Sequence, residues 1–261
     1  MKKVTVSNLQ ELPYAMEEAV NRLRVNVGFL GENIRKIMII STFPNEGKSL
    51  MSLHLWRQMA EAGIHSVFVD VDMRKSVLLE EYPLLVESSP ETQKEPDEEG
   101  EGSSASGKKK PSLMGTSNFL AGKVPLEDVL CHTQYKHGDL IFNTENVVNP
   151  SILLESRRFS DLLENLSQQY RYVFLDTPPL DLVSDGERIG NQCDGAILVV
   201  HSGVTPTAAV KASVGQLERA GCPVLGVVLN RAAAGRGGYY SKRYGGYYGH
   251  YYSNYYKGSS K

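Results

Sequence analysis

The sequence predicts an α/β fold with a mostly parallel central sheet flanked by helices on both faces. Three observations predict it. Short, almost continuously apolar runs recur along the chain, helical patterns alternate with them, and a Gly-Lys-Ser loop sits at one strand-to-helix junction. Continuous apolar runs are what strands need when both faces of a sheet are covered, and alternation with helices is the signature of parallel crossover units.

The apolar runs are Ile37–Ser41, Val67–Val71, Val173–Asp176, Ala196–Val200 and Val224–Leu229, with a further strand expected near Leu140–Phe142. Between them the spacing predicts helices over Leu50–Ala62, Ile152–Gln169 and Pro206–Ala220. Gly63 and Gly221 follow the first and last of these helices, and glycine ends a helix cheaply because it accepts positive φ. Another helix, about Tyr14–Phe29, precedes the first strand. With 261 residues, 41% hydrophobic and 22% charged, the chain has room for one large domain and enough apolar surface for a real core.

Two segments fall outside that core. Residues 87–112 (ESSPETQKEPDEEGEGSSASGKKKPS) hold almost no apolar side chains and read as a disordered acidic insertion, because nothing there offsets the entropy of ordering. Residues 235–261 combine glycine, serine and basic residues with nine tyrosines and read as a flexible tail, leaving 1–234 as the folded domain. Glu218 is the last acidic residue, so every charge beyond it is positive.

Several classes are excluded at this level. Cys131, Cys193 and Cys222 lie far apart with no CxxC pair, and read as buried thiols rather than a disulfide or zinc site. The N-terminal MKKVTVSNLQ lacks the apolar centre of a secretory signal. No window approaches the ~20 apolar residues of a spanning helix. The expectation is a cytoplasmic protein that meets the inner face of the membrane through a partner.

The loop is the chemical centre. Thr42-Phe43-Pro44-Asn45-Glu46-Gly47-Lys48-Ser49, running into Leu50, matches the phosphate-loop pattern G-x-x-x-x-G-K-[ST] with Thr42 in place of the first glycine. Loop N–H groups and the following helix dipole converge on a triphosphate. Gly47 allows the tight curl, Lys48 reaches the β- and γ-phosphates, and Ser49 offers a hydroxyl to Mg²⁺. Asn45 tolerates left-handed backbone better than most residues. At other strand ends stand Asp70 and Asp72 (VFVDVD) and Asp176 (YVFLDTPP), where parallel sheets place their sites. Carboxylates beside a phosphate loop point to Mg²⁺ coordination and base chemistry, so ATP and Mg²⁺ are the expected ligands of a P-loop NTPase.

With these motifs in place, the chain resembles the bacterial tyrosine kinases that control capsule and exopolysaccharide synthesis. STFPNEGKS is similar to their Walker A motif, VFVDVDMR to Walker A′ and FLDTPP to Walker B. NFLAGKVPLEDVL, NPSILLESRRF, CDGAILVV and VLGVVLNR are similar to segments between and after them, and the likeness runs from about Ala15 to Arg231. The resemblance implies an ATP-dependent protein tyrosine kinase, with Asp70 as base for the incoming tyrosine hydroxyl and Asp72 and Asp176 holding the metal. Asn230 resembles an adenine-contacting position, with a strand-end turn as its alternative. The autophosphorylation sites implied are Tyr239, Tyr240, Tyr244, Tyr247, Tyr248, Tyr251, Tyr252, Tyr255 and Tyr256. Glu18 and Arg24 match two positions of the family's E-x-x-R-x-x-R subunit contact, Asn21 replacing the middle arginine. Lys75 and Ser76 stand where a proline is usual, and the acidic insertion has no family counterpart. The partners implied are a membrane-anchored activator of the polysaccharide co-polymerase type, a tyrosine phosphatase, and further copies of the chain in a homo-oligomer such as a ring.

Two other readings stand beside this one. A MinD/ParA-like ATPase switch shares the fold, but Phe43 occupies the place of its signature lysine. A regulatory subunit that binds ATP without catalysis is the third. Basic residues interleaved with aromatics also fit single-stranded nucleic acid. Every aromatic in the tail, however, is a tyrosine, and stacking does not require a hydroxyl each time, so no nucleic-acid partner is expected.

Overall fold

Alternating side chains of the inner strands feed two separate hydrophobic layers. In the computed structural model, which describes residues 1–9, 11–87, 113–181 and 184–232, these strands are β2 (Lys36–Ser41), β3 (Ser66–Asp70), β7 (Tyr172–Asp176) and β8 (Gly195–His201). Met38, Ile40, Val67, Val69, Val173, Leu175, Ala196 and Leu198 point into one layer. Ile37, Ile39, Phe68, Phe174, Ile197 and Val199 point into the other. A period of two with both phases apolar is the pattern of a sheet covered on both sides.

Among the described residues the sheet has nine strands in the order β4-β1-β5-β6-β3-β7-β2-β8-β9, the others being β1 (Lys2–Val6), β4 (Leu84–Val86), β5 (Cys131–His132), β6 (Gly138–Ile141) and β9 (Val224–Asn230). β1 runs antiparallel to β4 and β5 antiparallel to β6; the other neighbours are parallel. The expected fold class therefore holds, with the antiparallel pairs confined to the β4 side. α1 (Tyr14–Gly28) and α2 (Lys48–Glu61) cover one face through Val20, Val27, Leu53, Leu55, Trp56 and Met59. α7 (Arg157–Gln169), α8 (Asp185–Gly190) and α9 (Thr207–Arg219) cover the other through Phe159, Leu162, Leu166, Ile189 and Leu217. Trp56 is fully buried, with Phe68 and Tyr135 rings 6.2 and 5.6 Å from it. Among the described residues there are also four short helices: α3 (Leu78–Glu81), α4 (Thr116–Leu120), α5 (Leu126–Val129) and α6 (Ser151–Leu154).

The structure corrects three details. The helix expected over Ile152–Gln169 is two helices, α6 and α7, separated at Glu155–Ser156. The helix after the phosphate loop starts at Lys48 rather than Leu50. Residues at the N-terminus form an edge-side strand, β1, whose Val4 and Val6 are buried. Met1–Asn230 forms one unit. Nearly all of the acidic stretch (88–112), the expected boundary near 234 and the whole tail lie outside the described residues.

Among the described residues no helix is long and apolar enough to cross a membrane. All three cysteines are buried free thiols, and burial pushes the Cys222 thiol up to about 11.

Candidate nucleotide site

β2 ends at Ser41 and α2 begins at Lys48, so the loop between them spans Thr42–Gly47. Two loop residues adopt left-handed backbone, Asn45 at φ 62° and Gly47 at φ 83°. The loop is held mainly by one side chain. Buried Glu46 accepts the Phe43 N–H at 2.9 Å on one oxygen and the His201 N–H at 3.1 Å on the other, which also takes the Thr205 hydroxyl. Thr42 is buried and accepts from Ser213 Oγ at 3.1 Å, while Ser41 Oγ donates to the Phe43 carbonyl. Pro44 and Asn45 are exposed, and Leu50 packs on the α2-side core.

Asp176, at the end of β7, gathers the loop's polar side chains. Lys48 Nζ donates to its Oδ2 at 3.0 Å, Ser49 Oγ to the same oxygen at 2.8 Å, and Ser52 Oγ to Oδ1 at 3.0 Å. Asp70 pairs in register with Asp176 on the neighbouring strand β3 and is fully buried. Its Oδ2 accepts from Ser76 Oγ at 2.5 Å and from the Asn143 N–H at 3.3 Å, and its Oδ1 from the Asp72 N–H at 3.1 Å. Burial, reinforced by the Asp176 and Asp72 charges, pushes the Asp70 carboxyl up to about 8 against the pull of Ser76 and Lys48. Asp72 is half-buried and turns the chain by accepting the Arg74 and Lys75 N–H groups at 3.3 and 3.1 Å.

Lys48, Ser49, Asp70, Asp72 and Asp176 are thus brought to one end of the sheet. Asn230, at the end of β9, joins them from the far edge by donating from Nδ2 to the Glu46 carbonyl at 2.8 Å. Glu18 and Arg24 lie on α1, both half-buried, and Arg24 Nε and Nη2 both donate to Asn21 Oδ1 at 3.0 and 2.8 Å. The nine tail tyrosines lie outside the described residues. Sequence reasoning passed over Ser52, Asn143 and Asp185, and noted Ser76 only as a departure from the family pattern, without its contact to Asp70. Of these, Ser52 was findable, since it follows Ser49 by three helical residues and so shares its face. Asp185 is buried and holds the Arg74 guanidinium (Nε–Oδ2 2.5 Å, Nη2–Oδ1 3.1 Å) while accepting from Ser151 Oγ at 2.9 Å. Arg74 is therefore a structural ion-pair partner in this state.

Among the described residues no group of three or more His, Cys, Asp or Glu side chains is arranged to hold a metal alone. The donor set nevertheless fits Mg²⁺, which takes hard oxygens, keeps several waters and shares its shell with substrate phosphates. Ser49 Oγ and Asp176 Oδ2 present two such oxygens 2.8 Å apart, beside a loop closed around Gly47.

A phosphate loop between strand and helix, with a strand-end carboxylate meeting its lysine, defines a P-loop NTPase, and that class binds nucleotides. No protein-family model matches the chain. Tyrosine-protein kinase CpsD of Streptococcus agalactiae serotype Ia is 30% identical over 217 residues, 83% of this chain and 83% of the relative. Tyrosine-protein kinase CpsD of Streptococcus pneumoniae serotype 4 is 30% identical over 215 residues, 82% of this chain and 84% of the relative. The chain belongs to this family of bacterial tyrosine-protein kinases.

Solved structures agree. The chimerical protein CapA2B2 matches with a TM-score of 0.68 and 28% identity over 82% of this chain and 84% of its own. The kinase domain of Escherichia coli tyrosine kinase ETK matches with 0.66 and 27% over 85% of this chain and 80% of its own. The rival reading as a positioning ATPase has a likeness of fold. The septum site-determining protein MinD of Pyrococcus horikoshii, solved with Mg-ADP, matches at 0.58 with 20% identity over 78% of this chain and 72% of its own.

Proposed function

We propose that the chain transfers the γ-phosphoryl group of ATP to tyrosine hydroxyls, those of its own tail at 239–256 among them, and so regulates capsule or exopolysaccharide synthesis. The observation that carries this reading is the meeting of Lys48 Nζ and Ser49 Oγ on one oxygen of Asp176 at the mouth of the phosphate loop. An arriving triphosphate takes over the Lys48 ammonium, and the loop N–H groups bind its oxygens. Mg²⁺, held by Ser49, Asp72 and Asp176, supplies charge neutralisation when bound.

The transfer forms a bond from the tyrosine oxygen to the γ-phosphorus and breaks the bond to the bridging oxygen of ADP. The phenolic proton passes to an Asp70 carboxylate oxygen. A phenol has a reference pKa of ~10. With the Asp70 carboxyl raised to about 8, its ionised form is a stronger base than an ordinary carboxylate but is the minor form at neutral pH. Phosphoryl transfer should therefore rise with pH up to about 8 as that form is populated. Because a loose phosphoryl transfer state has little covalent chemistry to assist, positioning and electrostatics carry the rest.

The reading includes the folded domain to about 234, the separate tail, oligomerisation through α1 with Glu18 and Arg24, a membrane-anchored activator that brings the chain to the inner membrane face, and a phosphatase that resets it. The Lys48→Met variant tests its centre. Removing the ammonium should lower phosphotyrosine formation, read by antibody or mass spectrometry with ATP and Mg²⁺, by at least ~100-fold while the circular dichroism spectrum stays unchanged. Undiminished tail phosphorylation in that variant would place the kinase site elsewhere.

A further inference from the structure

We propose that Asn230 is a positioning residue for the phosphate loop, holding one loop peptide so that its N–H faces the phosphates. The inference rests on the phosphate-loop reading, and it assigns Asn230 a task separate from contact with the adenine base.

Asn230 ends β9 and is paired in register with His201 of β8, and its own carbonyl accepts the Ser202 N–H at 2.9 Å. It is 8% exposed, and Nδ2 lies 2.8 Å from the Glu46 carbonyl oxygen. A carbonyl only accepts, so the amide nitrogen, not its oxygen, must face it. The Glu46–Gly47 peptide is trans, and in a trans peptide the C=O of one residue and the N–H of the next point in opposite directions. Fixing the Glu46 oxygen toward Asn230 therefore turns the Gly47 N–H away from Asn230. As the residue capping the start of α2, Gly47 is one of the helix's four N-terminal N–H donors without an intrahelical acceptor.

A second geometric fact agrees. A Cβ built on Gly47 would lie 2.1 Å from Asn230 Nδ2. Asn230 thus fills the side of Gly47 that any other residue would need, and the open side of the loop is the opposite one. The rest of the anchor is equally specific, because the Glu46 side chain ties the Phe43 N–H to the His201 N–H. The end of β9 (Asn230) and the end of β8 with Thr205 beyond it therefore hold the loop through the backbone carbonyl and the side chain of one residue, Glu46.

The test separates phosphate positioning from base contact. Displacement of a fluorescent ATP analogue is measured, with Mg²⁺ present, using ATP, inorganic tripolyphosphate and adenosine against wild type, Asn230→Asp and Asn230→Ala. Both variants remove the donor, and each should weaken ATP and tripolyphosphate together by about tenfold, with adenosine unmoved. Loss of ATP affinity with tripolyphosphate unchanged would overturn the proposal and leave Asn230 as a base contact. Should neither variant fold, as read by thermal melting, the wild-type protein decides through its Gly47 amide resonance. Tripolyphosphate must shift that resonance and adenosine must not; a resonance indifferent to tripolyphosphate overturns the proposal. If wild type binds neither ATP nor tripolyphosphate, the phosphate-loop reading itself has failed.

Discussion

Asp70, in its proposed role as the base, shows what a buried carboxyl costs a folded protein. An isolated aspartic acid loses its proton near 4, whereas Asp70 in the folded chain keeps it to about 8, because burial and the Asp176 charge oppose ionisation. Below pH ~4 both folded and unfolded chains hold the proton, and Asp70 contributes no difference. Between ~4 and ~8 the unfolded chain ionises while the folded one does not, so this residue's contribution to stability falls as pH rises and stays low above ~8. Asp70→Asn, which cannot ionise, should gain on wild type across that window by an amount on the order of a few kcal/mol while losing kinase activity. Melting both proteins from pH 4 to pH 8 checks this, and parallel curves would sink it. At this scale the site was half legible. Lys48, Ser49 and Asp176 stand out in sequence because phosphate chemistry demands their types at strand and helix ends. Ser76 did not, since only the folded turn after β3 puts its hydroxyl on Asp70. Asp185 did not either, because its partner Arg74 is 111 residues away in the chain. Asn230 was read for the base, and its bond to Glu46 spans 184 residues.

The break between α6 and α7 belongs to the scale of elements. Ile152, Phe159, Leu162, Leu163 and Leu166 would share one face of a single helix, which is why the periodicity alone predicts one helix. In the structure Ile152 is exposed, and the buried Leu154 lies five residues before Phe159, out of that phase. The backbone at Ser156 is instead extended (φ −71°, ψ 147°), and its hydroxyl serves both sides, donating to the Leu153 carbonyl at 2.6 Å and accepting the Phe159 N–H at 3.3 Å. It closes one helix and caps the next. Ser156→Ala should therefore cost about 1 kcal/mol, and Ser156→Thr, which keeps the hydroxyl, should cost less; urea unfolding of the three proteins checks the order. If alanine and threonine cost the same, the cap contributes nothing. The inner strands were legible because each is apolar on both phases. β1, β4 and β5 were not, because their strand character comes from pairings such as Lys2 with Cys131 and Val4 with Val86, which no local window contains.

The whole molecule carries an uneven charge that its proposed reaction would invert. Between 235 and 261 the sequence has five basic residues (Arg236, Lys242, Arg243, Lys257 and Lys261), no acidic one and nine tyrosines. Each phosphate adds about −1.5 to −2 charges at neutral pH, so about three of them reverse the sign. In the proposed reaction a basic tail would be attracted to the carboxylates Asp72 and Asp176, and a phosphorylated one would be repelled by them and by neighbouring phosphorylated tails. α1, on which Glu18 and Arg24 lie, is tied to the phosphate-loop helix α2 by the Glu17–Arg57 ion pair and by Gln58 Nε2 donating to the Glu17 carbonyl at 3.1 Å. If copies assemble through α1, with the tail of one entering the site of the next, the assembly should loosen as phosphate accumulates. Sedimentation of dephosphorylated and phosphorylated protein at equal concentration checks this, with the phosphorylated form expected to have the lower mass. Salt supplies a control. At about 1 M the screening length falls to ~3 Å, so tail repulsion should fade and the two forms should converge. A phosphorylated form of equal or greater mass at low salt would rule out the charge switch while leaving the family assignment standing.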